Sequence, residues 1–240
     1  MRYYDRIILL VLTVVLVACE KTYQYCPYTF VNQECNYLTC YVPNYSDVIS
    51  AQDVRLKVAI TGYDEQMLED AQYDKSCFYI ESDSYVENQL RSALTSTKKV
   101  KYHLWWDTLP APAGHYSVLE YRTKRCDSIE IYASEELFGI PSGRDISEYM
   151  EFARPYHNEY DTPLINSNKQ YLGMVETGLQ LQEYLEMNPL VFGKAEFKFR
   201  DNILDNTDMT VSLRVKVVLE GGVILQDETP LLTIKFALAN

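Results

Sequence analysis

Apolar and polar residues alternate with a period of two through the carboxy-terminal part of the chain. The stretch "MTVSLRVKVVLE", residues 209–220, shows the pattern most clearly. Its regularly spaced apolar positions are Val211, Leu213, Val215 and Val217. Because successive side chains of a strand point to opposite faces, this pattern predicts a β-strand with one buried face. The pair Gly221-Gly222 follows directly and predicts a tight hairpin into a second strand.

Strand-like segments recur along the chain, and turn residues separate them. They cover residues 53–60, 77–80, 100–106, 115–121, 128–132, 195–200, 209–220, 223–228 and 231–238. Helical spacing is confined to short segments at residues 64–71, 87–94, 134–139 and 171–187. About eight regularly spaced strands with few helices favour a mainly β chain. We therefore expect an immunoglobulin-like β-sandwich ectodomain with a few short helices, built as one or two modules.

The first eighteen residues have the composition of an export signal. Arg2 and Arg6 flank a polar start, and the segment 7–17 is almost wholly apolar. A bilayer core is about 30 Å thick and a helix rises about 1.5 Å per residue, so this segment is too short to span it comfortably. Residues 1–18 are therefore predicted to be a secretory signal peptide, the alternative being a buried core helix.

The end of this segment, Leu16-Val17-Ala18-Cys19, resembles the bacterial lipobox. The resemblance implies that the Cys19 thiol receives a diacylglycerol and becomes the first mature residue. Each buried CH₂ contributes about 0.8 kcal/mol, so several acyl chains would hold the protein stably on a membrane. Glu20 follows in place of the aspartate that is associated with inner-membrane retention. This favours the outer membrane, at the cell surface or at its periplasmic face.

The segment "AGHYSVLEYRTKRCDSIEIYASEELFGIPSGRDIS", residues 113–147, resembles uncharacterised lipoproteins of gut Bacteroidetes. The resemblance implies an envelope lipoprotein with a β-rich ectodomain, and it assigns no catalytic residue because that family has none assigned. The expected organisation is a signal peptide at 1–18, a lipidated tether and Cys-rich cap at 19–50, and the ectodomain at 51–240, with one or two small modules.

Five cysteines remain once Cys19 is assigned to the lipid anchor. They are Cys26, Cys35, Cys40, Cys77 and Cys126. Disulfides form in exported proteins, so all five are disulfide candidates, and two bridges with one spare thiol is the simplest arrangement. The spacing of the first three does not resemble a C-x₂-C pair, and no histidine lies near them. We therefore expect no metal site there.

The charge balance argues against nucleic acid as a partner. The chain has 34 acidic and 22 basic residues and a net charge of −12. Its short basic runs, Lys98-Lys99 and the segment 122–125, are interpreted as solvated strand or turn residues, whereas nucleic-acid binding needs a basic face. Tyrosine is abundant, with 21 residues. These tyrosines either pack within strands or form a surface for a glycan or a peptide.

Two adjacent tryptophans, Trp105 and Trp106, are the candidate ligand-stacking residues. Neighbours on a strand point to opposite faces, so one of them should face outward, where it could stack on a sugar ring. Burial beneath a helix or a second module is the alternative. The chain contains no G-x-S-x-G, H-E-x-x-H or phosphate-binding glycine motif, so we assign no catalytic residue and no cofactor.

Two functional hypotheses follow from these patterns. The first is a non-catalytic cell-envelope lipoprotein with a binding or structural accessory role and a glycan or protein ligand. The second is an acid-pair glycan hydrolase, because a glycosidase needs only two carboxylates at a suitable separation and the chain is rich in acidic residues. The sequence does not place such a pair.

Overall fold

A computed structural model of the chain describes residues 20–23, 28–43, 48–94, 100–103, 117–155, 178–200 and 208–236. The strands, in chain order, are β1 (Glu20–Tyr23), β2 (Tyr28–Gln33), β3 (Tyr37–Tyr41), β4 (Val48–Ser50), β5 (Leu56–Thr61), β6 (Tyr79–Ile80), β7 (Val100–His103), β8 (Ser117–Tyr121), β9 (Cys126–Ala133), β10 (Met150–Pro155), β11 (Lys194–Phe199), β12 (Met209–Val211), β13 (Leu213–Leu219), β14 (Val223–Glu228) and β15 (Leu232–Lys235). The helices are α1 (Glu65–Asp70), α2 (Ser84–Leu94) and α3 (Leu181–Glu186), and 3-10 turns lie at Ala51–Asp53, Lys75–Phe78 and Ser147–Tyr149. The prediction of a mainly β, sandwich-like chain with a few short helices is confirmed.

The chain divides into two compact units. The smaller comprises Met1–Phe30 and Leu90–Leu119, and the larger comprises Val31–Gln89 and Glu120–Asn240. In the smaller unit β1 pairs antiparallel with β7, and Glu20 lies opposite His103. No helix in the described part of the chain is long and apolar enough to span a bilayer.

Two sheets in the larger unit enclose one hydrophobic core. Their strand orders are β10-β11-β5-β3 and β14-β13-β9. Both sheets contribute to the same buried cluster, which includes Leu56 and Ile60 from β5, Ile131 from β9 and Val215 from β13. Complete burial of such a side chain stabilises the fold by about 1.5–3 kcal/mol relative to exposure. The apolar residues of the alternating pattern on β13 therefore lie on the inner face of the second sheet.

The hairpin between β13 and β14 forms where the glycine pair predicts it. Gly221 and Gly222 have φ angles of 84° and 76°, in the left-handed region that glycine adopts without a steric penalty. Leu219 lies opposite Val223, and Arg214 lies opposite Glu228 at the other end of the hairpin. Since β13 also pairs with β9, the outward side chains of all three strands are held in one register.

Two predicted helices differ from the structure. Residues 134–139 form no helix, because Phe138 and Gly139 have φ angles of 59° and 73°, and Leu137 and Ile140 exchange backbone hydrogen bonds across them. The predicted helix at 171–187 is observed only as α3. Gly178 has a φ angle of 83° and Gln180 bridges to Glu151, so the chain enters α3 in a non-helical conformation. Residues 171–177 lie outside the described ranges.

Part of the segment predicted to be a tether and cap belongs to the main sheet. Strand β3 pairs antiparallel with β5, from Tyr37 opposite Thr61 to Tyr41 opposite Lys57. Its inward residues, Leu38 and Cys40, are buried. Residues 37–41 are therefore an edge strand of the sandwich.

Arg122 is a fully buried cation, although the sequence predicts that residues 122–125 are solvated strand or turn residues. Its guanidinium donates to the Ile60 carbonyl at 2.7 and 3.2 Å and to Gln33 Oε1 at 2.6 Å. Its Nη2 also lies 3.4 Å from the carboxylate of Glu120. A Cβ at Gly193 would lie 3.0 Å from the guanidinium carbon, so glycine at that position makes room for the arginine.

Candidate functional site

Several predicted site residues lie outside the described residues. They are the lipidation residue Cys19, the stacking candidates Trp105 and Trp106, the disulfide candidate Cys26, and the whole signal segment 1–18. Their predicted roles therefore stay predictions.

The other four disulfide candidates are described, and each is a free thiol. Cys35, Cys40 and Cys126 are buried, whereas Cys77 is exposed. The Cys40 thiol points to the carbonyl of Leu213 at 4.0 Å, and that of Cys126 to the carbonyl of Ser128 at 3.7 Å. The buried thiols belong to the same hydrophobic core, and the disulfide pairing of the five candidates, one of which lies outside the described residues, stays a prediction.

Burial also makes the core thiols poor nucleophiles. It raises the pKa of Cys40 and that of Cys126 to about 12, and it raises the pKa of Cys35 as well. Because the thiolate is the reactive form, these groups are chemically inert at neutral pH. Within the described ranges, no group of three or more His, Cys, Asp or Glu side chains is placed to hold a metal ion.

A half-open cavity of about 270 Å³ lies beside the second sheet. We call it the outer-face cavity, and its lining residues are Tyr132, Ala133, Ser134, Ser142, Gly143, Arg214 and Glu228. The volume is slightly below the range of about 300–1,000 Å³ that is usual for drug-sized ligands. The cavity therefore suits one small polar group, such as a single ring of a larger ligand.

The register of the second sheet places three of these side chains in one row. Arg214 on β13 lies opposite Tyr132 on β9 and opposite Glu228 on β14. The inward residues on either side of Arg214 are buried core residues, so Arg214 itself projects outward. Its guanidinium carbon lies 4.9 Å from the centroid of the Tyr132 ring. A cation–π contact of this kind contributes about 0.5–1 kcal/mol at an exposed site.

Tyr132 is in turn fixed by the next row of the sheet. Its hydroxyl donates a short hydrogen bond to the carboxylate of Glu130. The same carboxylate lies 2.9 Å from Lys216 Nζ and accepts a hydrogen bond from Ser128 Oγ at 3.3 Å. The Tyr132 ring is therefore held in place as a platform for Arg214.

These contacts set the protonation states at the site. The hydrogen bond from Tyr132, with that from Lys216, holds the pKa of Glu130 below its usual range. The hydrogen bond to Glu130 raises the pKa of Tyr132 to about 12. At neutral pH Glu130 is thus ionised and Tyr132 is protonated. Neither is poised to exchange a proton with a ligand, because acid–base catalysis is most efficient with a pKa near the working pH.

The loop after β9 forms one wall of the cavity, through Ser142 and Gly143. Asp145 Oδ1 accepts hydrogen bonds from the backbone N–H of Ile131 at 3.0 Å and of Ser147 at 2.9 Å, which anchors this loop along the edge of β9. Gly143 has a φ angle of 74° in the turn that precedes Asp145. Its N–H donates to the carbonyl of Ala133 at 3.1 Å. The loop therefore returns over the strand beside Tyr132.

Serine side chains complete the polar lining. Ser142 Oγ donates to the carbonyl of Ser134 at 2.6 Å. Ser134 Oγ accepts from the N–H of Ser212 at 2.9 Å, which leaves its own proton available. Ser212 Oγ donates a short hydrogen bond to Glu228. This hydroxyl bond orients one carboxylate oxygen of Glu228 and leaves the other without a partner among the described residues.

The sequence patterns did not identify this site. The alternation correctly places Arg214 on the polar side of its strand, but the partners Tyr132 and Glu228 depend on the register of three strands. Ser134 lies at the start of a predicted helix, and no local pattern singles out Ser142. The sequence signals are the polar positions Ser212, Arg214 and Lys216 of the alternation and, in a separate predicted strand, the tyrosine of "SIEIY".

No protein-family model, curated protein or solved structure matches this chain. Because one fold supports many functions, it is the chemistry of the outer-face cavity that indicates what the protein does.

Proposed function

We propose that this chain is a non-catalytic lipoprotein of the bacterial cell envelope, anchored in the outer membrane through Cys19, whose β-rich ectodomain binds a glycan at the outer-face cavity. The lipobox supports the anchor, and the resemblance to Bacteroidetes lipoproteins supports the envelope location. The cavity supports the ligand class.

The observation that supports the binding role is a cavity lined by hydrogen-bonding groups that have no partner among the described residues. Beside them, Glu130 stays ionised and Tyr132 stays protonated at neutral pH. Ser134 offers a hydroxyl proton, Glu228 offers a carboxylate oxygen, and Tyr132 lines the wall. Sugars are recognised by such acceptors and donors beside an aromatic residue. The alternative of an acid-pair hydrolase needs a carboxylic acid with a raised pKa, whereas the pKa of Glu130 beside the cavity is lowered.

The anchor is tested by comparing the wild type with Cys19→Ala in cells that are fed an alkyne-tagged palmitate. Labelling of the wild type alone supports lipidation, and equal labelling of both proteins contradicts it. Proteinase K digestion of intact cells then reports the membrane face. Digestion indicates the cell surface, and protection indicates the periplasmic side.

The binding role is tested with the purified mature protein in detergent on a panel of immobilised glycans. We expect binding that a Ser134→Ala/Glu228→Gln double variant abolishes while its thermal unfolding midpoint stays within a few degrees of the wild type. Glycan binding that this variant retains would contradict the assignment to the cavity.

A further inference from the structure

We infer that Arg214 makes the outer-face cavity selective for a sugar that carries a carboxylate, such as a uronic acid, an inference that rests on the proposed glycan-binding role. Arginine has five N–H donors in a planar fork that matches a carboxylate in a bidentate arrangement. Arg214 can hold a carboxylate in this way if those donors are available.

The donors of Arg214 are available because none of them forms a hydrogen bond or an ion pair with another described residue. Its guanidinium carbon lies 4.9 Å from the centroid of the Tyr132 ring. Glu228 lies directly opposite in the register, yet its carboxylate accepts from Ser212 and forms no ion pair with Arg214. Because its N–H groups have no partner within the described part of the chain, they can donate to a ligand.

The rest of the lining matches the hydroxyl groups of a sugar ring. The unpaired proton of Ser134 Oγ can be donated to a ring hydroxyl. The lone pairs of Ser142 Oγ and the second carboxylate oxygen of Glu228 can accept from others. Arg214 would then hold the acidic substituent while these groups hold the neutral part of the same ring.

Two other anions fit this cavity less well. A peptide carboxyl terminus needs an apolar pocket for its last side chain and a backbone nest for its carboxylate. Ala133 is the one aliphatic residue among the described residues that line the cavity. A phosphate carries more charge, and within the described part of the chain Arg214 is the one cation of this lining, beside the carboxylate of Glu228. A singly charged carboxylate on a polyol is the better match.

The affinity of the purified mature protein in detergent for three sugars is measured by saturation-transfer NMR titration. The ligands are methyl glucuronide, its neutral methyl ester and methyl glucoside. The variants are Arg214→Met, which keeps an unbranched, flexible side chain beside the Tyr132 ring but removes the charge, and Arg214→Lys, which keeps the charge but loses the fork. Arg200→Met is the matched control, because it makes the same change at an exposed arginine outside the cavity lining.

We expect the wild type and Arg200→Met to bind the glucuronide about tenfold or more tightly than either neutral sugar. The reason is that hydrogen bonds between a guanidinium and a carboxylate are stronger than those to a neutral group. Arg214→Met should lose that preference and keep its affinity for the glucoside, and Arg214→Lys should retain only part of it. Higher salt should weaken the glucuronide alone.

The outcomes separate this inference from the proposed function. Equal affinity of the wild type for all three sugars overturns the carboxylate inference and leaves glycan binding in place. A preference that survives in Arg214→Met, or that disappears in Arg200→Met, also overturns it. Failure of every sugar to bind overturns both this inference and the glycan-binding role of the cavity.

Discussion

Arg122 and Arg214 carry the same guanidinium group into opposite surroundings in one unit of the protein. Arg122 is fully buried, and its donors are paired with the Ile60 carbonyl, Gln33 and Glu120. Arg214 lies on the outer face and lines the cavity, with its guanidinium carbon 4.9 Å from the centroid of the Tyr132 ring and its N–H groups unpaired among the described residues. The pairing of its donors indicates a structural role for Arg122. Arg214, in contrast, has N–H donors without a partner among the described residues, and it lies at a concave surface. These two properties make it a candidate ligand contact.

The largest expected difference between the two arginines is in stability. Arg122→Met should lower the free energy of unfolding by about 3 kcal/mol or more, because it leaves the Ile60 carbonyl and the Gln33 side chain buried without their donor. Urea unfolding measures this change. Arg214→Met is the control, and a loss of similar size in that variant would contradict the assignment of the two arginines to different roles.

A second test reaches Arg122 through its neighbour. Gly193→Ala should cost about 1–3 kcal/mol, because the new Cβ would lie 3.0 Å from the guanidinium carbon. Gly62→Ala is a milder control, since its Cβ would lie 3.3 Å from the Glu34 Cβ. If both variants unfold at the same urea concentration as the wild type, the packing of Gly193 against Arg122 is not a constraint.

The Tyr132–Glu130 contact predicts a smaller effect that depends on pH. The folded-state pKa of Glu130 is lowered, so its contribution to stability is present above its unfolded value and is lost as pH falls through the folded pKa. Tyr132→Phe should therefore flatten the loss of stability on acidification, by less than about 1 kcal/mol because the pair is partly exposed. Thermal unfolding between neutral and acidic pH tests this, with Tyr149→Phe as the control.

The same pair also affects stability at alkaline pH, where stability falls as the pH rises. The pKa of Tyr132 is raised to about 12, so its contribution is complete below the unfolded value near 10 and declines as pH rises through the folded pKa. The wild type should thus lose stability on the alkaline side more steeply than Tyr132→Phe. Parallel alkaline unfolding curves for the two proteins would contradict the Glu130 hydrogen bond.

The smallest stability effect is expected at Arg214 itself. Arg214→Met should change the free energy of unfolding by no more than about 1 kcal/mol, the value of an exposed cation–π contact, while it removes the preference for an acidic sugar. Denaturation and the sugar titration are measured on the same sample. A variant that binds as the wild type does but unfolds much earlier would move Arg214 to the structural group with Arg122.

Local patterns predicted the strands well and the site poorly, for physical reasons. The alternation around Val215 and the glycine pair at 221–222 each express a local rule, and both are confirmed. The acidic first turn after Ser134 has helix character, but Phe138 and Gly139 adopt left-handed angles and form a hairpin turn. Arg122 is buried because Gly193, far along the chain, leaves space for it, and no local pattern encodes such a partner.

The parallel pairing of β4 with β15 has a consequence for how the protein is made. These two strands belong to a further sheet of order β12-β15-β4, and Ile49 lies opposite Ile234, so this sheet joins residues 48–50 to residues 233–235. The backbone N–H of Cys40 is likewise bound to Asp227 across the sandwich, at 2.7 Å. Native contacts of such long sequence separation slow folding, because a large loop must close first. We therefore expect β4 to pair with β15 only after residues 233–235 have been synthesised.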